Sequence, residues 1–166
     1  MLPEIWIDSL DKIYLICSCN YFKMSNSKIQ EAEAEVKRAE KYLKTSMFKW
    51  NPDYDSAGDC YSKAATAYKL GGNKKMAVET FDKACEMYKQ MRTLFQAARM
   101  LEQAVLLSRD LDDMDGVVNY AERGALLYRQ DGSNESAAQL LEKACKIVIR
   151  VNIIMFFVYY IAMLLG

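Results

Sequence analysis

Between Asp53 and Arg150 one pattern of apolar and polar positions returns every 20 residues. With a small residue as the anchor, one column reads Ala64, Ala84, Ala104, Gly124 and Ala144. Seven residues earlier stand Ala57, Ala77, Ala97, Val117 and Ala137, and three earlier stand Tyr61, Phe81, Leu101, Ala121 and Leu141. Four later stand Tyr68, Tyr88, Ser108, Tyr128 and Val148. These offsets are i, i+4, i+7 and i+11, so the columns predict five helices, each with one apolar stripe. Small residues in two of the columns let neighbouring helices approach closely.

Turn chemistry falls where this period needs it. Gly71, Gly72 and Asn73 follow the first of these helices, Thr93 and Gln96 have the spacing of a capping box, and Asp112 and Asp113 precede the fourth helix. Gly132, Ser133 and Asn134 open the fifth. An earlier helix at Lys28 to Ser46 obeys the same columns with a shift of 25, through Ala32, Val36, Ala39 and Leu43. Ser25, Asn26 and Ser27 supply capping residues before it, and Pro52 and Asp53 stop and restart the chain after it. Links of about four residues leave no room for crossovers, so successive helices run antiparallel. The expected fold is all-α, a tetratricopeptide-like α-solenoid of antiparallel helical hairpins.

The ends depart from this pattern, which divides the chain into an extension at 1–23, a helical-repeat domain at 24–150 and an apolar tail at 151–166. Acidic Glu4, Asp8 and Asp11 precede the apolar patch at Ile13 to Cys19, unlike a signal peptide, and Met24 reads as a natural start. Val151 to Leu165 is apolar except for Asn152. As a helix those residues rise about 22 Å, short of a hydrocarbon core about 30 Å thick. A tail anchor, a buried last helix and a divergent terminus are the competing readings of this run, and the last is preferred.

Composition removes much chemistry. Lys plus Arg and Asp plus Glu are balanced at 22 each, which argues against a nucleic-acid footprint. The 166 residues contain no histidine, so Ser/His/Asp triads, Cys/His pairs and His-ligated metals are excluded. The five cysteines lack framework spacing and point to a reducing compartment. Cys85 and Cys145 share a column with Ala65, Val105 and Ala125, so they read as small core residues. No cofactor, metal or catalytic residue is expected.

Two features remain as candidate binding chemistry. Basic residues Lys63, Lys83, Arg123 and Lys143 recur immediately before the anchor. They form either a solvated face beside Asp82, Glu102, Glu122 and Glu142 or a surface for an acidic helical partner. Alternate helices face opposite ways, which groups Lys63 with Lys143 and Lys83 with Arg123. A second basic column, Lys69, Lys89, Arg109 and Arg129, falls in last helical turns, where cations answer the helix dipole. The other feature is the loop holding Met47, Phe48 and Trp50 beside Lys44 and Lys49. It reads either as a hydrophobic staple or as a membrane contact, with Trp at headgroup level and the lysines meeting anionic lipid.

The stretch KRAEKYLKTSMFKWNPDYDSAGDCYSKAATAYKLGG, Lys37 to Gly72, resembles the N-terminal region of the gamma members of the soluble N-ethylmaleimide-sensitive factor (NSF) attachment protein, or SNAP, family. The similarity continues through Thr93 to Ala104 and Leu140 to Ile147, and is most specific at Trp50 to Asp55. The resemblance implies a twisted sheet of helical hairpins that lies along SNARE complexes and recruits the NSF ATPase. The protein would then be a non-catalytic adaptor of vesicle fusion, cytoplasmic and peripheral on membranes. It places Met47, Phe48 and Trp50 in the family's membrane-contacting loop and makes Lys63, Lys83, Arg123 and Lys143 candidates for gripping the SNARE complex. Family members continue into a C-terminal bundle that engages NSF, where this chain has an unrelated apolar run. Recruitment of NSF is therefore the part of the expectation in question, and a truncated adaptor is expected. Two rivals are a generic helical-repeat scaffold and a tail-anchored membrane protein with a cytosolic repeat domain.

Overall fold

A computed structural model describes the backbone of residues 4–44 and 51–165 and the side chains of 23–44, 51–151 and 153. Its helices are α1 (Glu4–Leu43), α2 (Tyr54–Leu70), α3 (Lys74–Gln90), α4 (Leu94–Arg109), α5 (Met114–Gln130) and α6 (Asn134–Leu165). Each packs on its neighbours in the chain, and α4 also touches α6. This is the single file of antiparallel helices that the 20-residue period predicts, an α-solenoid.

The stripe columns form the core. Ala57, Ala77, Ala97, Val117 and Ala137 are buried, as are Ala64, Ala84, Ala104, Gly124 and Ala144. In α1 the shifted register holds as well, with Ala32 and Ala39 fully buried and Val36 and Leu43 partly so. The small residues act through distance: a Cβ on Gly124 would stand 2.7 Å from Leu140 Cδ2 and 3.4 Å from Leu101 Cβ. Gly58 meets the Tyr88 ring in the same way, at 3.1 Å from a would-be Cβ.

Each turn repeats one geometry. The N–H groups of Asn73, Thr93, Asp113 and Ser133 donate to the carbonyls of Tyr68, Tyr88, Ser108 and Tyr128 at 2.8–3.0 Å. The residue before each donor is left-handed: Gly72 (φ 80°), Arg92 (φ 59°), Asp112 (φ 57°) and Gly132 (φ 88°). Asp53, Asn73 and Asp113 then cap α2, α3 and α5 by accepting the N–H of Ser56, Met76 and Gly116.

Four local expectations change. Thr93 precedes α4, but no capping box forms; its hydroxyl donates to the Tyr88 carbonyl at 3.0 Å. Ser25, Asn26 and Ser27 start no helix, because α1 runs through them from Glu4. Ser25 instead donates its hydroxyl to the Gly71 carbonyl at 2.6 Å and ties α1 to the α2–α3 turn. Leu141 is 40% exposed while Leu140 is 1% exposed, and Cys145 is exposed rather than core. The cause of these two is common: in α3, α4 and α5 the equivalent face meets the following helix, whereas α6 packs only on helices that precede it. Leu141, Cys145 and Val148 thus line an open apolar groove of about 270 Å³ against Val118 and Ala121 of α5. Ser108 is buried as its column predicts, and its hydroxyl has no hydrogen-bond partner among the described residues.

Two predictions test this packing. Gly124→Leu should destabilise the fold by about 1–3 kcal/mol through overpacking against Leu101 and Leu140, measured by denaturant unfolding. An unchanged midpoint would mean that α4, α5 and α6 are not in this contact. The second concerns alkaline pH. Burial, then Glu102, lifts the Tyr128 phenol from 10.0 to about 12, and burial, then Glu86, lifts the Cys85 thiol from 9.0 to about 12. The native state therefore holds protons that the unfolded chain releases first, and stability is lost as pH rises from about 9 towards about 12. Thermal melts across that range should show a falling Tm, with a shallower fall for Tyr128→Phe combined with Cys85→Ala. Equal slopes for variant and parent would remove these groups as the cause.

Candidate interaction surface

The sheet has two layers, and polar side chains report which helices share one. Arg123 of α5 donates to Asp82 of α3 at 2.7 Å and to Glu86 at 3.3 Å. Lys143 of α6 bonds Glu102 of α4 at 2.6 Å, and Lys69 of α2 reaches Gln103 of α4 at 3.4 Å. The even-numbered helices are thus joined side by side on one layer, and α3 and α5 on the other. Lys63 and Lys143 belong to the first, and Lys83 and Arg123 to the second.

These four cations are not equivalent. Arg123 is held by two carboxylates and lies 5.8 Å from the Tyr120 ring centroid, so its charge is largely answered within the fold. Lys143 is answered by Glu102, whose second oxygen accepts from the Tyr128 hydroxyl at 3.3 Å. Lys63 and Lys83 are exposed and form no ion pair among the described residues. The sequence pattern placed the bridging acids beside the basic column but did not reveal the pairing. Its signal is the spacing of 41 residues that links Asp82 to Arg123 and Glu102 to Lys143.

The loop candidates divide differently. Lys44 is exposed just past the end of α1. Met47, Phe48, Lys49 and Trp50 lie outside the described residues. The Asp53 N–H donates to the Tyr42 carbonyl at 3.1 Å and brings the two ends of this connection together. The second basic column sits where expected, with Lys69, Lys89, Arg109 and Arg129 in last turns. Among the described residues no cluster of His, Cys, Asp or Glu could hold a metal ion, and no helix is long and apolar enough to cross a membrane.

The family model for soluble NSF attachment protein, SNAP, matches residues 25–152. The chain belongs to the soluble NSF attachment protein family. Similar SNAP relatives are a gamma-soluble NSF attachment protein of Dictyostelium discoideum, 29% identical over 126 residues, and one of Arabidopsis thaliana, 23% identical over 111. The first match covers 76% of this chain and 39% of the relative, the second 67% and 38%. The chain thus spans about two fifths of the length of these SNAP relatives. The SNAP match begins inside α1 and ends inside α6, so it takes in every repeat column and neither helix in full.

The ion pair between α4 and α6, which share a layer, gives a measurable coupling. A double-mutant cycle with Glu102→Gln and Lys143→Gln should return about 0.2–1 kcal/mol, because both side chains remain partly exposed. The coupling should shrink as salt is raised. Zero coupling at low salt would contradict the pair.

Proposed function

We propose that this chain acts as a gamma-SNAP-type adaptor of vesicle fusion, docking along a membrane-anchored SNARE complex as a peripheral membrane protein. The observation that carries the reading is the family match over residues 25–152, which coincides with the helical sheet. NSF attachment is what the names of the relatives state. For this chain, attachment of NSF to the complex is part of the same proposal.

Charge accounting selects the surface. Arg123 and Lys143 are engaged in holding α3 to α5 and α4 to α6. On the α3–α5 layer, Asp82 and Glu86 are balanced by Arg123 and Lys89, so this patch offers no net positive charge to an acidic bundle. Among the described residues of the α2–α4–α6 layer, Lys63 has no ion pair and Lys69 meets the neutral Gln103. The SNARE complex therefore docks on the even-helix layer through Lys63, with Lys143 able to exchange Glu102 for a partner carboxylate. Lys44, Met47, Phe48, Lys49 and Trp50 make the membrane contact, with Phe48 and Trp50 as apolar anchors and the lysines at the headgroups. One small loop binds weakly, and simultaneous engagement of the complex raises its effective concentration at the lipid.

Flotation of the full chain with phosphatidylcholine vesicles carrying SNARE complex tests the reading. Binding should need both lipid and complex and should fall about tenfold when Phe48→Ser and Trp50→Ser are combined. Lys63→Glu should weaken binding to soluble SNARE complex, and Lys83→Glu, on the other layer, should not. Loss through Lys83→Glu alone would assign the opposite surface. No binding to complex under any condition would leave a helical-repeat scaffold without this activity.

A further inference from the structure

A second charged feature lies on the even-helix layer, away from the loop. Between the end of α4 and the middle of α6 runs a groove of about 310 Å³. Its apolar lining is Leu106, Ile147 and Val151, and its rim carries Arg109, Lys146 and Arg150 with the single acid Asp112. Lys143 closes the end nearest Glu102.

The rim cations are available. Arg109 pairs with Asp110 and Lys146 with Glu142, both solvated pairs of low worth, with the Lys146 side chain 71% exposed. Arg150 is exposed and forms no ion pair among the described residues. Lys143, Lys146 and Arg150 follow at i, i+3 and i+7, which places them on one face of α6. Just beyond them α6 continues as a helix through the apolar sequence Val151 to Leu165. Ile149 and Ile153, one turn apart at that junction, are 57% and 62% exposed.

We infer that this groove is a docking site for the anionic phospholipid headgroups of a bilayer surface, with Lys146 and Arg150 meeting phosphate or carboxylate and the apolar continuation of α6 lying in the interface. Charge complementarity and the apolar helix select that occupant together. A free anion or an acidic peptide would use the cations but would leave Ile149 and Ile153 in water. A bilayer takes both, since basic residues snorkel to headgroups beside an apolar helix face. The site does not depend on the proposed SNARE contact or on residues 47–50. It would give the solenoid a second membrane contact near its other end, which fixes how the sheet is oriented on the membrane.

The test is flotation of the full chain, without SNARE complex, on vesicles of phosphatidylcholine alone and of phosphatidylcholine and phosphatidylserine in equal parts. Binding should be stronger on the serine lipid and should weaken as salt rises. Lys146→Gln with Arg150→Gln should lower the serine-lipid binding by about fivefold per charge, while Lys146→Arg with Arg150→Lys keeps it. The Phe48→Ser, Trp50→Ser variant should retain the serine-dependent part, so failure of the loop and failure of the groove are separate results. The inference is overturned if the parent ignores phosphatidylserine, if its binding is indifferent to salt, or if the glutamine variant binds as the parent does. Full displacement by soluble glycerophosphoserine would also overturn it, by showing a site for a free anion rather than a bilayer.

Discussion

The close approach of consecutive helices at the small-residue columns is the constraint on which the rest depends. A solenoid helix has a neighbour on either side, so it needs two faces that admit another backbone. Ala57, Ala77 and Ala97 with Ala64, Ala84 and Ala104 supply them at no cost in side-chain entropy, and they are all fully buried. Once the backbones are this close, the larger members of the stripe, Tyr61, Phe81 and Leu101, have only one place to go. Gly124 marks the tightest point, where Leu140 of α6 occupies the volume that any side chain would need. The helices are ordinary in propensity; their association is what stabilises them.

The turns convert this pairwise packing into a fixed register. A left-handed residue followed by an N–H that returns to the carbonyl five residues earlier closes each α2–α3, α3–α4, α4–α5 and α5–α6 link. Glycine accepts that backbone conformation freely at positions 72 and 132. Arg92 and Asp112 adopt it against their intrinsic preference, which shows that the surrounding helices, rather than the turn residues, dictate the geometry. All four links are alike, and the anchor column stays buried from α2 to α6.

That regularity explains how much was legible in the sequence. A helix stripe, a small-residue column and an N-cap such as Asp53, Asn73 or Asp113 are local properties, so a period of 20 residues displays them directly. What could not be read was whatever depends on a second helix. Thr93 has a capping residue's chemistry but spends its hydroxyl on Tyr88, a choice set by the turn. Leu141 and Cys145 fit the core columns by spacing, yet their exposure depends on whether another helix lies beyond α6. Ser25 reads as a cap because its neighbours are small and polar, whereas its partner, Gly71, is 46 residues away. Of the candidate site, the basic column was visible as a repeat, and its engagement by acids was not.

The pairing of that column bears on function more than the column itself does. Asp82 with Arg123 and Glu102 with Lys143 join helices that are second neighbours, within one layer of the sheet. Nearest neighbours are already held by apolar contact, so these partly exposed bridges add little to stability. Their larger effect is to neutralise cations towards the C-terminal side of the repeat. Towards the N-terminal side the same spacing joins Ser62 to Gln103, with no charge at either position, and Lys63 forms no ion pair among the described residues. A repeat that is uniform in its core is thus non-uniform in charge, and an acidic partner lying along the even-helix layer meets unanswered positive charge first at α2. The same non-uniformity returns beyond Lys143, where Lys146 and Arg150 carry charge past the last interhelical bridge and up to the apolar part of α6.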